Sequence, residues 1–142
     1  MIRQSAGRWN KFVLLGGDGW PTNRLLELAG PNMPQSYALS HFQPENPSPQ
    51  ANAFIEAYRQ RYNAEPTPFA ALGYDAMMLI LDAARRSPNL SREEIRAGLA
   101  ATQNLQLATG TFAFDEARGA RKEAAVVAIT PAGFTLRERV NP

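Results

Sequence analysis

The sequence contains no cysteine and only one histidine, His41, among its 142 residues. The absence of cysteine excludes disulfides, zinc–thiolate sites and thiol nucleophiles. A single histidine excludes any metal site that needs two imidazole ligands, and a serine–histidine triad would have to use His41. No catalytic residue, metal site or cofactor is predicted for this sequence.

The sequence also lacks a large excess of either positive or negative charge. The chain has 15 basic and 13 acidic residues, which gives a net charge of +2. An excess this small, spread along the whole chain, does not indicate a nucleic-acid partner or an anionic membrane surface. No run of 18 apolar residues is present. Residues 1–7 lack the apolar region of a secretory signal, so we expect no signal peptide in the chain as given.

The apolar content is sufficient for one ordinary domain, since 44% of the residues are hydrophobic. A short apolar run at residues 11–15, closed by glycines, predicts a buried strand. Thr22 then has the position of an N-cap for a short helix that ends before Gly30. Residues 37–42 have strand propensity. The first third of the chain therefore predicts a β–α–β unit.

Three helices are predicted next, after a proline-rich loop at residues 43–49. Ser48 and Thr67 each precede a proline, the arrangement of an N-cap followed by proline at the first helical position. Ser91 and Glu94 form a capping-box pattern. The second of these helices, from about residue 69 to 86, is apolar on most of its faces, which predicts deep packing.

Strands are predicted to return near the C-terminus. Residues 109–115 alternate as a half-buried strand does, residues 116–123 have the composition of a polar loop, and residues 124–130 read as a buried strand. A turn then leads to residues 134–136, which are predicted to pair back as a hairpin. The order of elements places the chain in the α/β class.

Several blocks of the sequence, in order and spacing over residues 10–135, resemble one family. They are LGGDGW at 15–20, LLELAG at 25–30, AFIEAY at 53–58, PFAALGYDA at 68–76 and TGTFAFDE at 109–116. The chain resembles the C-terminal part of a type I periplasmic solute-binding protein. The most similar subgroup binds leucine, isoleucine and valine for ABC importers.

The resemblance implies part of a fold with two Rossmann-like lobes, joined by three crossing strands, with the ligand between the lobes. Residues 1–36 would belong to the second lobe, residues 43–109 would supply helices of the first lobe, and residues 110–142 would return to the second. Family members are more than twice as long as this chain. Because the missing strands would leave apolar helix faces uncovered, we expect a homodimer or a domain swap.

Three residues are predicted to bind a ligand. Asp18 lies in a glycine-rich turn after a strand, where open α/β sheets place ligands. The resemblance implies that this carboxylate receives an α-ammonium group; the alternative is that it caps its own turn. Trp20 either walls the cleft or pins the following helix. Phe69 either borders the ligand side chain or begins a helix core, and His41 is predicted to make a surface or hinge hydrogen bond.

The function implied by the resemblance is the solute-binding component of an ABC importer. Such a protein captures a small amino acid, or a related amide or carboxylate, by closure of its cleft, and delivers it to a membrane permease. The parent protein would be periplasmic. Two alternatives remain: the ligand-sensing domain of a regulator or receptor, and a self-associating fragment that binds no ligand. An enzyme is not predicted, because no paired acid/base residues are evident.

Overall fold

The computed structural model describes residues 12–45 and 47–141. The predicted lack of a signal peptide concerns residues 1–7, which lie outside the described residues. In chain order the elements are β1 (Leu14–Gly16), α1 (Asn23–Ala29), β2 (Ser36–Ser40), α2 (Pro49–Tyr62), α3 (Pro68–Arg86), α4 (Arg92–Ala100), β3 (Leu105–Leu107), β4 (Gly110–Phe114), β5 (Ala120–Lys122), β6 (Ala124–Thr130) and β7 (Gly133–Val140). They divide between two compact units. The first holds the described residues up to Glu45 together with Ala124–Val140, and the second holds the chain from there to Glu123, with Asn141.

The first unit is a four-stranded sheet in the order β1-β2-β6-β7. β1 and β2 are parallel and are joined through α1, which confirms the predicted β–α–β unit. The prediction that the first strand is buried is wrong, because no residue of β1 is buried and Leu15 is exposed. β6 runs antiparallel to β2, and β7 returns along β6 as the predicted hairpin, with an irregularity in register between Val126 and Val127. Thr22 caps α1 as predicted, since its side chain accepts a hydrogen bond from the Leu25 N–H.

One face of this sheet is covered, and the other is covered only in part, where Ala128 is buried. The core contains Ala29, Met33, Ala38, Val127 and Ile129, against which Trp20, Leu25, Leu26 and Phe134 pack. Along β2 the buried side chains alternate with less buried ones, as the two-residue period of a strand requires. On the other face Leu15 is 77% exposed and Leu39 is also exposed.

The second unit combines three helices with a three-stranded antiparallel sheet in the order β3-β4-β5. All three predicted N-caps are confirmed, because the side chains of Ser48, Thr67 and Ser91 each accept a hydrogen bond from the backbone N–H three residues on. α3 differs from its prediction of deep packing. Only Ala71, Asp75 and Ala83 are buried along it, whereas Phe69, Tyr74, Met77 and Ile80 are exposed.

The small sheet of the second unit was predicted only at its centre. β4 lies inside the predicted strand at 109–115, but β3 was not predicted, and β5 lies in residues 116–123, which were expected to form a loop. Each of the two missed strands is three residues long, too short to show a period. They exist because β4 offers a partner on both of its edges. The α/β class is confirmed.

Candidate ligand-binding site

The carboxyl ends of β1 and β2 lie at the same edge of the sheet, because the two strands are parallel and adjacent. The turn after β1 carries Asp18, and the residue directly after β2 is His41. The Nε2 atom of His41 lies 3.8 Å from the Oδ2 atom of Asp18. A carboxylate and an imidazole therefore meet at the edge where open α/β sheets bind their ligands.

The Asp18 carboxylate is accessible. Its side chain is 56% exposed, against 28% for that of His41. Within the turn, the Trp20 N–H donates to the Gly17 carbonyl over 3.1 Å. Among the described residues no backbone N–H of the turn donates to the Asp18 carboxylate, so the geometry does not show the alternative role of a turn cap. An exposed carboxylate at this edge can accept a charge-assisted hydrogen bond from an ammonium group.

Trp20 fixes the turn against the end of the sheet. A Cβ atom placed on Gly16 would lie 2.1 Å from Trp20 Cδ2, so the indole rests directly on this glycine. The ring also packs against the core of the first unit. These contacts show that Trp20 packs against the first unit. Its second predicted role, lining the wall of the ligand cleft, remains a prediction.

Phe69 belongs to the second unit. It lies in the first turn of α3, after the Thr67 cap and Pro68, and it is 53% exposed. The structure thus brings Asp18 and Trp20 together in one turn and places Phe69 in the other unit. Its predicted contact with a ligand remains a prediction.

The meeting of His41 with Asp18 was not predicted from the sequence. The signal was available, since a β–α–β prediction already places the residues after both strands at one edge of the sheet. His41 has a further feature: its Nδ1 atom is buried and has no hydrogen-bond partner among the described residues. The ring nitrogen near the Asp18 carboxylate is Nε2, at 3.8 Å, which is too long for a direct hydrogen bond.

A second polar cluster, also missed by the sequence reasoning, lies inside the second unit. Asp75, on α3, is 3% exposed. Its carboxylate accepts hydrogen bonds from the Ala108 N–H and the Thr109 N–H, both over 2.9 Å, and from the Thr109 hydroxyl over 2.5 Å. The Lys122 ammonium donates to the same hydroxyl. We call Asp75, Thr109 and Lys122 the exit cluster, because Lys122 lies just before the point where the chain leaves the second unit.

Burial lowers the pKa of Lys122 below its ordinary value of 10.5, because desolvation disfavours the ammonium form. The Asp75 carboxylate opposes this shift through its charge but does not outweigh it. Neither cluster has the composition of a metal site. Among residues 12–45 and 47–141 there is no group of three or more histidine, aspartate or glutamate side chains placed to hold a metal ion. None of the described helices is long and apolar enough to cross a membrane.

A parallel β–α–β unit whose first turn carries glycines and an accessible carboxylate is the arrangement of an α/β ligand-binding domain. The chain belongs to the periplasmic binding protein family, whose family model matches residues 4–133. This confirms the resemblance described above. Because the family consists of binding proteins, it also confirms that the chain is not an enzyme.

Solved structures give the same result. A leucine-binding protein, LivK, from Thermotoga maritima is 32% identical, and the match covers 99% of this chain and 41% of that chain with a TM-score of 0.89. The branched-chain amino acid substrate-binding protein LivJ from Streptococcus pneumoniae, solved with isoleucine, is 31% identical over 99% of this chain and 40% of that chain, with a TM-score of 0.83. No curated protein matches.

A more distant structure shares the fold alone. It is a solute-binding protein from R. palustris in complex with benzoate, 20% identical, with a TM-score of 0.75 over 99% of this chain and 39% of that chain. The chain spans about two fifths of the length of the structures it matches. It therefore corresponds to a fragment of the two-lobed fold, and the family places the parent protein in the periplasm.

Proposed function

We propose that this chain is part of the solute-binding component of an ABC importer and that it contributes the amine-binding half of a site for a small amino acid or a related amide or carboxylate. The observation that carries the proposal is the exposed Asp18 carboxylate at the shared carboxyl edge of β1 and β2. The leucine-binding and isoleucine-bound relatives support it, because both of those ligands carry an α-ammonium group.

In the proposed site, Asp18 accepts hydrogen bonds from the ligand ammonium, while Trp20 and Phe69 shape the side-chain pocket. The ligand carboxylate would be held by a part of the parent protein outside this chain. The ligand stabilises the closed state of the cleft because it binds that state more tightly than the open one. The shift towards the closed state is as large as this difference in affinity allows. The parent protein would then deliver its ligand to a membrane permease.

The assignment of segments to lobes belongs to the same proposal. Residues 1–36 and 110–142 are assigned to the second lobe of the parent protein, and residues 43–109 to helices of the first. The compact units change after Glu45 and after Glu123. Residues 110–123 thus lie with the helices in the second compact unit, and their lobe in a longer protein stays a prediction.

The proposal is tested by following backbone amide resonances of the labelled chain during titration with L-leucine, L-isoleucine and benzoate. We expect an amino acid to shift the resonances of residues 17–20 and His41, and Asp18→Asn to reduce that response. The matched control is Asp82→Asn, an aspartate of α3 in the second unit that pairs with Arg86. Shifts that Asp18→Asn leaves unchanged would contradict the proposal.

A second candidate function is self-association, favoured by the uncovered apolar surface in each unit. In the first unit the exposed side chains include Leu15 and Leu39 on one face of the sheet, and in the second they include Phe69, Met77 and Ile80 on α3. Apolar surface of this kind commonly marks an interface. Light scattering on a sizing column tests it. A dimer supports self-association as a homodimer or domain swap, and a monomer across the accessible concentration range contradicts it.

A further inference from the structure

The exit cluster stands at a particular place in the chain. Lys122 is the last residue of β5, and the chain leaves the second unit after the next residue, Glu123. Ala124 already begins β6 of the first unit. A single residue therefore separates the two strands, and the anchored Lys122 side chain lies immediately before this junction.

The anchor connects three elements of the second unit. Asp75 projects from α3, Thr109 lies in the turn between β3 and β4, and Lys122 ends β5. The Thr109 hydroxyl donates to Asp75 and accepts from Lys122, so it is the link between the carboxylate and the ammonium. A single hydroxyl thus connects the helix to the strand that leads out of the unit.

We infer that the exit cluster is a positioning device for the place after Glu123 where the chain passes from the second unit to the first: it holds the end of β5 on α3, so that bending at this passage is confined to the residues that follow Lys122. Asp75, Thr109 and Lys122 are positioning residues in this account, and none of them is a ligand contact. The inference rests on the proposed function, because a fixed hinge position is needed only in a protein whose cleft closes on a ligand.

The physical reason lies in the closeness of the anchor to the junction. Hinges are a few residues at the ends of elements that absorb the change in backbone angles, and they need rigid segments on either side. β5 pairs with β4 over only three residues, Ala120–Lys122. Backbone pairing this short frays readily at its ends. The Lys122 contact with a buried hydroxyl–carboxylate pair supplies the rigidity that the short ladder lacks.

Thr109→Val is the sharpest test, because valine has the shape of threonine and removes only the linking hydroxyl. Both backbone N–H donors to Asp75 remain. A hydrogen bond to a charged group contributes about 1.5 kcal/mol, so we expect amide exchange at Lys122 and Glu123 to become about tenfold faster. Thr109→Ser restores the hydroxyl and should return exchange to the wild-type rate. Thr111→Val, at an exposed threonine of β4, is the matched control and should change neither rate.

The motion itself is measured between the units with a pair of spin labels and without any ligand. The chain has no cysteine, so Gln60→Cys in α2 and Arg137→Cys in β7 give two unique exposed sites, one in each unit. We expect Thr109→Val to broaden the distribution of label–label distances and Thr109→Ser to restore it. A merely structural role would lower stability without broadening this distribution.

Two outcomes would overturn the inference: an unchanged distance distribution in Thr109→Val, or equal broadening in Thr111→Val. Should Thr109→Val fail to fold, Lys122→Met provides the same test, because it leaves Asp75 bound to Thr109 and removes only the connection to β5. Since no ligand is present, failure here leaves the amine-binding proposal standing, and failure of that proposal leaves this measurement unaffected.

Discussion

Replacing Asp75 with alanine is expected to destabilise the second unit by about 3–5 kcal/mol, the cost typical of breaking a buried charged cluster. Three donors lose their acceptor: the Ala108 N–H, the Thr109 N–H and the Thr109 hydroxyl. Each buried donor left unsatisfied costs about 1–3 kcal/mol. The Lys122 ammonium also loses its nearby negative charge. Water that enters the space left by the carboxylate compensates part of the total, which keeps the expected cost below the full sum.

The assay is urea unfolding followed by far-ultraviolet circular dichroism, with amide exchange of α3 and β4 to report on the second unit. Asp82→Ala is the control, since Asp82 lies two turns further along the same helix. Its carboxylate pairs with Arg86 at 2.6 Å, and both side chains are partly exposed. Pairs of this kind contribute about 0–1 kcal/mol. A cost for Asp75→Ala no larger than that for Asp82→Ala would refute the reasoning.

Three further predictions concern the glycines and the buried lysine. Gly16→Ala should displace the Trp20 ring, because the new Cβ would lie 2.1 Å from Cδ2; we expect a loss of about 1–3 kcal/mol in the free energy of unfolding and a shifted indole N–H resonance. Gly119→Ala should loosen the β4–β5 hairpin, since its Cβ would lie 2.6 Å from Asp115 Oδ2; faster amide exchange across the hairpin is the readout, and unchanged exchange would contradict it. Lys122 should make stability rise with pH. Its folded pKa lies below 10.5, so the unfolded chain binds more protons between the two values and stability increases through that window. Lys122→Met should abolish this rise in urea unfolding measured from pH 7 to pH 10.5.

Local signals made much of the fold predictable from the sequence. The caps Ser48, Thr67 and Ser91 act on the backbone N–H three residues ahead, so their pattern is visible within a few residues. The β–α–β unit follows from one apolar run, one capped helix and a second strand. In each case the energy that selects the structure comes from neighbours in sequence.

The missed features depend on partners that are distant in sequence. Asp75 interrupts an apolar helix. Its hydrogen-bond donors, the N–H groups of Ala108 and Thr109, lie 33 and 34 residues away in the sequence. β5 forms because β4 pairs with it, although its own residues read as a polar loop. No pattern within a window of ten residues contains this information.

The candidate site was predicted in part. Asp18 was selected because of the glycine-rich turn after a strand, and the structure leaves its carboxylate accessible. The neighbouring imidazole of His41 was not assigned to this edge, although the order of strands places it there. For Trp20 two alternative roles are predicted; its ring lies against Gly16, and its role as a wall of the ligand cleft stays a prediction.

The most direct test of the central claim compares two ligands and two proteins by isothermal titration calorimetry. The ligands are L-leucine and 4-methylpentanoate, which differ only in the α-ammonium group, and the proteins are the wild type and Asp18→Asn. In a closed cleft that excludes water, a charge-assisted hydrogen bond to the Asp18 carboxylate contributes about 1.5 kcal/mol, so we expect leucine to bind the wild type about tenfold more tightly. In Asp18→Asn this difference should disappear. Equal affinity of the two ligands for the wild type, or a difference that survives in Asp18→Asn, would contradict the account, as would the absence of binding by either ligand.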